Sequence, residues 1–178
     1  MMHRVTLLLG CNIGDREATL RRATDLLKER VGEIVGCSKI YSTRAWGFQS
    51  EELFANQAVV LLTELEPEPL LDSTQAIEQE LGRDRTMEAA EKLSSGERYC
   101  SRTMDIDIMF YDDEVIRTPR LTIPHPLMQE REFALEPMCE LEGERLHPRL
   151  GKTLNNINEL ETCAVFVIRK SNFKKLPF

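Results

Sequence analysis

The 178-residue sequence has no apolar run approaching the roughly 20 residues that span a bilayer, so no membrane anchor is expected. The opening MMHRVTLLLG is too short in its apolar part for the core of a signal peptide, and CNIGD follows where a small-residue cleavage site would stand. A cytoplasmic protein is expected. The cysteines, Cys11, Cys37, Cys100, Cys139 and Cys163, are odd in number and widely spaced, without a Cys-x-x-Cys pair. That argues against a disulfide framework and a zinc site, and leaves reduced, mostly buried thiols. A net charge of -7 lacks the positive excess of a broad nucleic-acid surface, although local arginine clusters can still bind phosphate. There is no internal repeat or low-complexity tract. Nor is there a Gly-x-x-x-x-Gly-Lys-Ser/Thr loop, so a phosphate site must be built from side chains.

What is present reads as one domain over residues 1–178. RVTLLL, Arg4 to Leu9, is an apolar, partly β-branched run ended by Gly10, which predicts a buried first strand. Asp15 can cap a helix from Arg16 to Arg30, with Leu20, Ala23, Leu27 and Val31 on its inward stripe. Ile34 to Ser42 and Asn56 to Thr63 read as a strand pair around the loop TRAWGFQSEELF. Pro67 and Pro69 start a second helix with Leu70, Thr74, Ile77 and Leu81 inward and Gly82 at its end. Arg83 to Arg98 is charged and without an apolar period, which predicts a loop with room for a short helical turn around Met87 to Leu93. Thr103 to Tyr111 is a strand, Phe133 to Leu141 a short helix, Asn155 to Leu160 a helix and Ala164 to Arg169 a strand. The order is that of a ferredoxin-like α+β fold, βαββαβ, with an antiparallel sheet covered on one side by helices and additions at the C-terminus.

The chemistry concentrates in RTMDIDIMFYDDEVIRTPRLTIPHPLMQEREF, Arg102 to Phe133. Strand side chains alternate, so Asp105 and Asp107 share one face while Met104, Ile106 and Ile108 take the other. Two carboxylates so close repel unless protonated or bridged by a cation. A hard divalent ion such as Mg²⁺ accepts one or two carboxylates and completes its shell with water and phosphate oxygens. Taken alone, Asp-x-Asp is more often a solvated strand face with salt bridges to arginine. The company of Arg83, Arg85, Arg98, Arg102, Arg120 and Arg131, with Lys92, shifts the balance, because guanidinium groups fork onto phosphate oxygens. Carboxylates for metal and arginines for phosphate imply a nucleoside triphosphate. His125, between Pro124 and Pro126, is held in an extended loop from which its imidazole could donate to a phosphate or leaving-group oxygen. Gln75 and Glu78 share a helix face, which by spacing alone reads as solvated.

These segments resemble the 6-hydroxymethyl-7,8-dihydropterin pyrophosphokinases. The likeness rests on GCNIGD, YSTRAWG, FAN, TQAIEQELGRDR and above all RTMDIDIMFYDDEVI followed by RLTIPHPLMQEREFALEPMCEL, covering about Val5 to Leu141. The resemblance implies transfer of pyrophosphate from ATP to a pterin hydroxymethyl group, with AMP released, in folate biosynthesis. It implies two Mg²⁺ ions on Asp105 and Asp107, with Arg98 and Arg102 joining them as catalytic groups. ATP would meet Gln75, Glu78, Arg85, Arg98, Tyr99, Arg102, Ile108, Arg120, Thr122, His125 and Arg131. The pterin would meet Thr43, Arg44, Trp46, Phe54, Asn56, Asp105 and Phe133, with the two phenylalanine rings stacking on it. Cys11 stands where the family usually has Ser, Phe54 where Tyr is frequent, and RYCSR where Arg-Trp-Gly-Pro-Arg is usual. ATP and a reduced pterin are the expected partners, without nucleic acid or membrane, and a monomer is expected, with a weak homodimer as the alternative. A non-catalytic ligand-binding module of the same topology is the rival reading, and an RNA-binding sheet is a second that the acidic charge disfavours.

Overall fold

In the computed structural model, residues 1–43, 53–95 and 103–160 are described. The first strand, β1 (His3–Cys11), lies inside an antiparallel sheet, paired with β4 (Phe54–Thr63) on one side and β5 (Asp105–Tyr111) on the other. β2 (Glu33–Cys37) pairs with the outer edge of β4, and β3 (Tyr41–Thr43) continues along that edge. The order β2-β4-β1-β5 is the ferredoxin-like arrangement. The expected single strand from Ile34 to Ser42 is interrupted because Ser38 turns its polar groups onto β4. Its Oγ accepts the Ala58 N–H at 3.0 Å, and its carbonyl accepts Gln57 Nε2 at 2.8 Å.

Helix α1 (Arg16–Arg30) follows β1 through Asp15, whose carboxylate accepts the Ala18 N–H at 3.1 Å. Its Leu20, Ala23, Leu26 and Leu27 are fully buried, and with Leu70 and Ile77 of α2 (Pro67–Glu80) they cover Val5, Leu7 and Leu9. Gly82, at a φ of +91°, closes α2 in the left-handed region that a side chain disfavours. The opposite sheet face is also covered. Leu8, Ala58 and Phe110 pack under Ala134, Leu135 and Met138 of α4 (Glu132–Glu142) and under Leu154 and Ile157 of the helical residues 154–160. Helices therefore lie on both faces, where the sequence pattern led to an expectation of one.

The segment expected as a loop after Arg83 is largely helical, α3 (Arg85–Ser95). Asp84 starts it, its Oδ1 accepting the N–H groups of Thr86 and Met87 at 2.9 and 3.0 Å. Met87 and Leu93 stay exposed, so α3 buries no apolar stripe of the kind that periodicity detects. A two-stranded hairpin, β6 (Ile116–Arg117) and β7 (Thr122–Ile123), then leads to His125 and a 3-10 turn, Met128–Glu130. The predicted strand from Ala164 to Arg169 lies outside the described residues. No helix of the described residues is long and apolar enough to cross a membrane.

Candidate active site

Three neighbouring strands lay Asn56, Gly10 and Asp105 side by side. Gly10 keeps this row open, since a Cβ there would come within 3.0 Å of Asn56 Oδ1. Asn56 is buried and donates through Nδ2 to Thr43 Oγ1 at 2.7 Å, which fixes its amide against β3. Thr43 in turn is paired with Phe54 at the start of β4. One step along β5, Asp107 lies opposite Leu8 on the same face as Asp105.

Beyond Ile108 the pairing shifts by one residue, so Met109 is extra and Phe110 returns to the face of the aspartates. The N–H of His125 donates to the Met109 carbonyl at 3.1 Å. The bulge thereby seats the histidine beside the aspartate strand, with Nε2 at 3.8 Å from Asp107 Oδ1. Arg131, just before α4, brings a guanidinium nitrogen within 3.8 Å of Asp107 Oδ2 and lies 5.8 Å from the centre of the Phe133 ring.

Among the described residues β5 is an edge strand, and its outward N–H at Ile106 donates to Glu78 Oε1 at 2.8 Å. Glu78 is thus a buried anchor of α2 and not the solvated helix face that its spacing implied. Burial pushes its carboxyl up from the ordinary range, while Arg83 pulls the other way. Arg83 donates to Glu78 Oε1 at 2.7 Å and to Asp105 Oδ1 at 2.6 Å. Burial would lower the Arg83 pKa, but Asp105, Glu88 and Glu78 outweigh it and hold the guanidinium charged. Arg85 pairs with the second Glu78 oxygen.

These elements enclose a cavity of about 450 Å³. Every sequence-predicted site residue within the described part lines it: Thr43, Phe54, Asn56 and Phe133; Gln75, Glu78 and Arg85; Asp105, Asp107 and Ile108; Arg120, Thr122, His125 and Arg131. Arg44, Trp46, Arg98, Tyr99 and Arg102 lie outside the described residues. Sequence reasoning left Gly10 out of the site, and counted Arg83 among phosphate-binding arginines without seeing its role beneath Asp105. The glycine at the end of the first strand was the available signal for a close approach. Arg120 also binds α2, reaching Glu68 at 3.2 Å and Asp72 at 2.5 Å.

Burial, with Arg131 next in weight, lowers His125 from 6.5 to about 4, so its ring is neutral at physiological pH. An unfolded chain would take up that proton near 6.5. The stability contribution is therefore complete above pH 6.5 and is lost as pH falls through about 4. A ring titration by NMR is expected to place the His125 midpoint well below 6.5, and His125→Gln should flatten the stability profile between pH 6.5 and 4. A midpoint at 6.5 would contradict the burial argument.

Among the described residues no three His, Cys, Asp or Glu side chains cluster to hold a metal by themselves. Asp105 and Asp107 supply oxygen donors only, on one face and open to the cavity. Such a pair fits Mg²⁺, which takes the rest of its shell from phosphate oxygens and water.

An antiparallel ferredoxin-like α+β sheet gathers carboxylates and arginines in one cavity, the donor set that suits a hard cation and phosphate oxygens. The sequence model of the 7,8-dihydro-6-hydroxymethylpterin-pyrophosphokinases matches residues 6–143, and the chain belongs to that family. It is 40% identical over 145 residues to the 2-amino-4-hydroxy-6-hydroxymethyldihydropteridine pyrophosphokinase of Porphyromonas gingivalis, covering 81% of this chain and 93% of that protein. Its identity to the enzyme of the same name from Aquifex aeolicus is 35% over 165 residues, 93% of this chain and 96% of that one. The crystal structure of Plasmodium falciparum HPPK-DHPS wild type with SDX-DHP superposes with a TM-score of 0.72 at 14% identity, over 99% of this chain and 46% of that one. That likeness carries the fold alone; this chain spans less than half the length of the Plasmodium protein.

Proposed function

We propose that Asp105 and Asp107 hold two Mg²⁺ ions, with ATP on their arginine side and the pterin over Asn56. The family reaction moves pyrophosphate from ATP to the hydroxymethyl group of 6-hydroxymethyl-7,8-dihydropterin, giving the pterin diphosphate and AMP, a step of folate biosynthesis. The observation that carries the assignment is the row Asn56, Gly10, Asp105, which sets a buried amide and a cavity-lining carboxylate at neighbouring positions of one cavity floor. An amide reads the edge of a flat heterocycle, and Phe54 and Phe133 supply the apolar surface for its faces.

Bound Mg²⁺ neutralises phosphate charge. The protein's own groups do the positioning. The pterin hydroxyl must approach the β-phosphorus in line with departing AMP, and a floor fixed by the Asn56–Thr43 hydrogen bond holds the acceptor against drift. Arg85 and Arg131 place forked donors where charge grows on the phosphate oxygens. His125, neutral, can donate through one ring nitrogen without bringing a second positive charge beside Arg131. AMP release on mixing the protein with ATP, Mg²⁺ and the pterin tests the reading, and ATP left intact would overturn it. Phe133→Ala is expected to weaken pterin binding by about 1 to 3 kcal/mol, the scale of one aromatic stack, while leaving affinity for a non-hydrolysable ATP analogue unchanged. Equal loss for both ligands, by calorimetric titration, would remove the stacking role.

A further inference from the structure

One buried guanidinium ties α3 to the aspartate strand. Arg83, its side chain 6% exposed, shares one terminal nitrogen between Asp105 at 2.6 Å and Glu78 at 2.7 Å. Its Nε and other terminal nitrogen fork onto Glu88 of α3 at 2.9 and 3.2 Å. Met87 and Leu93 of α3 are 70% and 88% exposed, so apolar burial by these large side chains does not hold the helix down. Ion pairs to the site do: Glu88 with Arg83, and Arg85 with Glu78.

We propose that Glu88 is a positioning residue: by holding Arg83 from α3, it sets how readily Asp105 is released to a divalent cation, and the same link draws α3 toward the site when the cation binds. The inference rests on the assignment of Asp105 and Asp107 as cation ligands. A cation on Asp105 withdraws that carboxylate's charge from Arg83. With Glu88 in place the guanidinium keeps a forked partner as well as Glu78, so no buried positive charge is stranded. With Glu88 neutral, Arg83 depends on Glu78 and Asp105 alone among these three carboxylates, and Asp105 is harder to release. By reciprocity, a cation that takes Asp105 strengthens the remaining Arg83–Glu88 pair and with it the docking of α3.

Glu88→Gln keeps the shape and removes only the charge. Mn²⁺ binding to the protein with α,β-methylene-ATP, followed by electron paramagnetic resonance, is the readout, with wild type and Asp107→Asn as the reference arms. Wild type should bind Mn²⁺ and Asp107→Asn should lose it, while Glu88→Gln raises the Mn²⁺ dissociation constant about tenfold. On an Arg83→Lys background, which cannot fork, Glu88→Gln should add little. Mg²⁺ should slow amide exchange across 85–95 in wild type and do so less in Glu88→Gln. If wild type fails to bind Mn²⁺, or Asp107→Asn binds it equally well, the cation assignment falls and takes this inference with it. If only Asp107→Asn loses the ion and Glu88→Gln matches wild type, the inference alone falls. An undiminished Glu88→Gln effect in the Arg83→Lys background would make Glu88 a remote charge, and exchange in α3 that ignores Mg²⁺ would break the link to the helix; either result overturns the proposal.

Discussion

Asp107→Asn is expected to lower turnover by at least about a hundredfold while leaving the unfolding free energy within about 1 kcal/mol of wild type. The contrast follows from what each aspartate touches. Asp105 accepts a 2.6 Å hydrogen bond from the buried Arg83, so changing it disturbs the junction of α2 and β5 as well as the cavity. Asp107 stands 3.8 Å from His125 Nε2 and from an Arg131 guanidinium nitrogen, where its charge acts through the field, and any hydrogen bond its side chain accepts elsewhere can be kept by an asparagine oxygen. Asparagine at that position keeps the size and removes the charge that a hard cation needs. Steady-state AMP release and a urea melt separate the two effects. Turnover near that of wild type would remove Asp107 from the catalytic centre, and a large drop in the urea midpoint would mean that its charge holds the fold.

The parts of the fold that were legible before the structure are those with sustained apolar burial. α1 and α2 bury a helical stripe and β1 and β5 a near-continuous run, and their positions in the sequence pattern match the elements within a few residues. α3 reads in the sequence as a loop with room only for a short turn around Met87 to Leu93, for the opposite reason. Its attachments at Arg85 and Glu88 are ion pairs, which leave no apolar stripe in the sequence. The hairpin β6–β7 is too short, at two residues a strand, for alternation to show. The second helical layer was also hidden, because Leu8 and Phe110 alone do not reveal which helix covers them.

In the site, strand alternation was enough to put Asp105 and Asp107 on one face. It could not show that the Met109 bulge brings His125 alongside, since a bulge leaves no mark in the periodicity on either side of it. Nor could it tell Glu78 from an exposed helix glutamate. That distinction is made by a strand edge 28 residues further along, at Ile106. The family likeness named most of the cavity's residues, but which of them are structural supports depends on contacts between segments distant in sequence.

Glu78 is the support on which the largest stability effect is expected. Its carboxylate is 2% exposed and accepts the Ile106 N–H, the Arg83 guanidinium and the Arg85 guanidinium together. Glu78→Ala leaves the edge-strand N–H without its acceptor and removes one of three carboxylates from Arg83, while Glu88 and Asp105 still share its charge. A fully stranded cation is thereby avoided, and the loss is expected to be about 2 to 4 kcal/mol, made up of the orphaned donor and the lost charged hydrogen bonds. Glu78→Gln should lose less, because its amide oxygen can still accept from Ile106. Urea denaturation of both variants measures the difference, and amide exchange at Ile106 localises it: the protection there should fall in Glu78→Ala and persist in Glu78→Gln. If Glu78→Ala loses less than about 1 kcal/mol, below the scale of one unsatisfied buried donor, then water reaches this strand edge and the carboxylate is a ligand of the cavity without being a tie between α2 and β5.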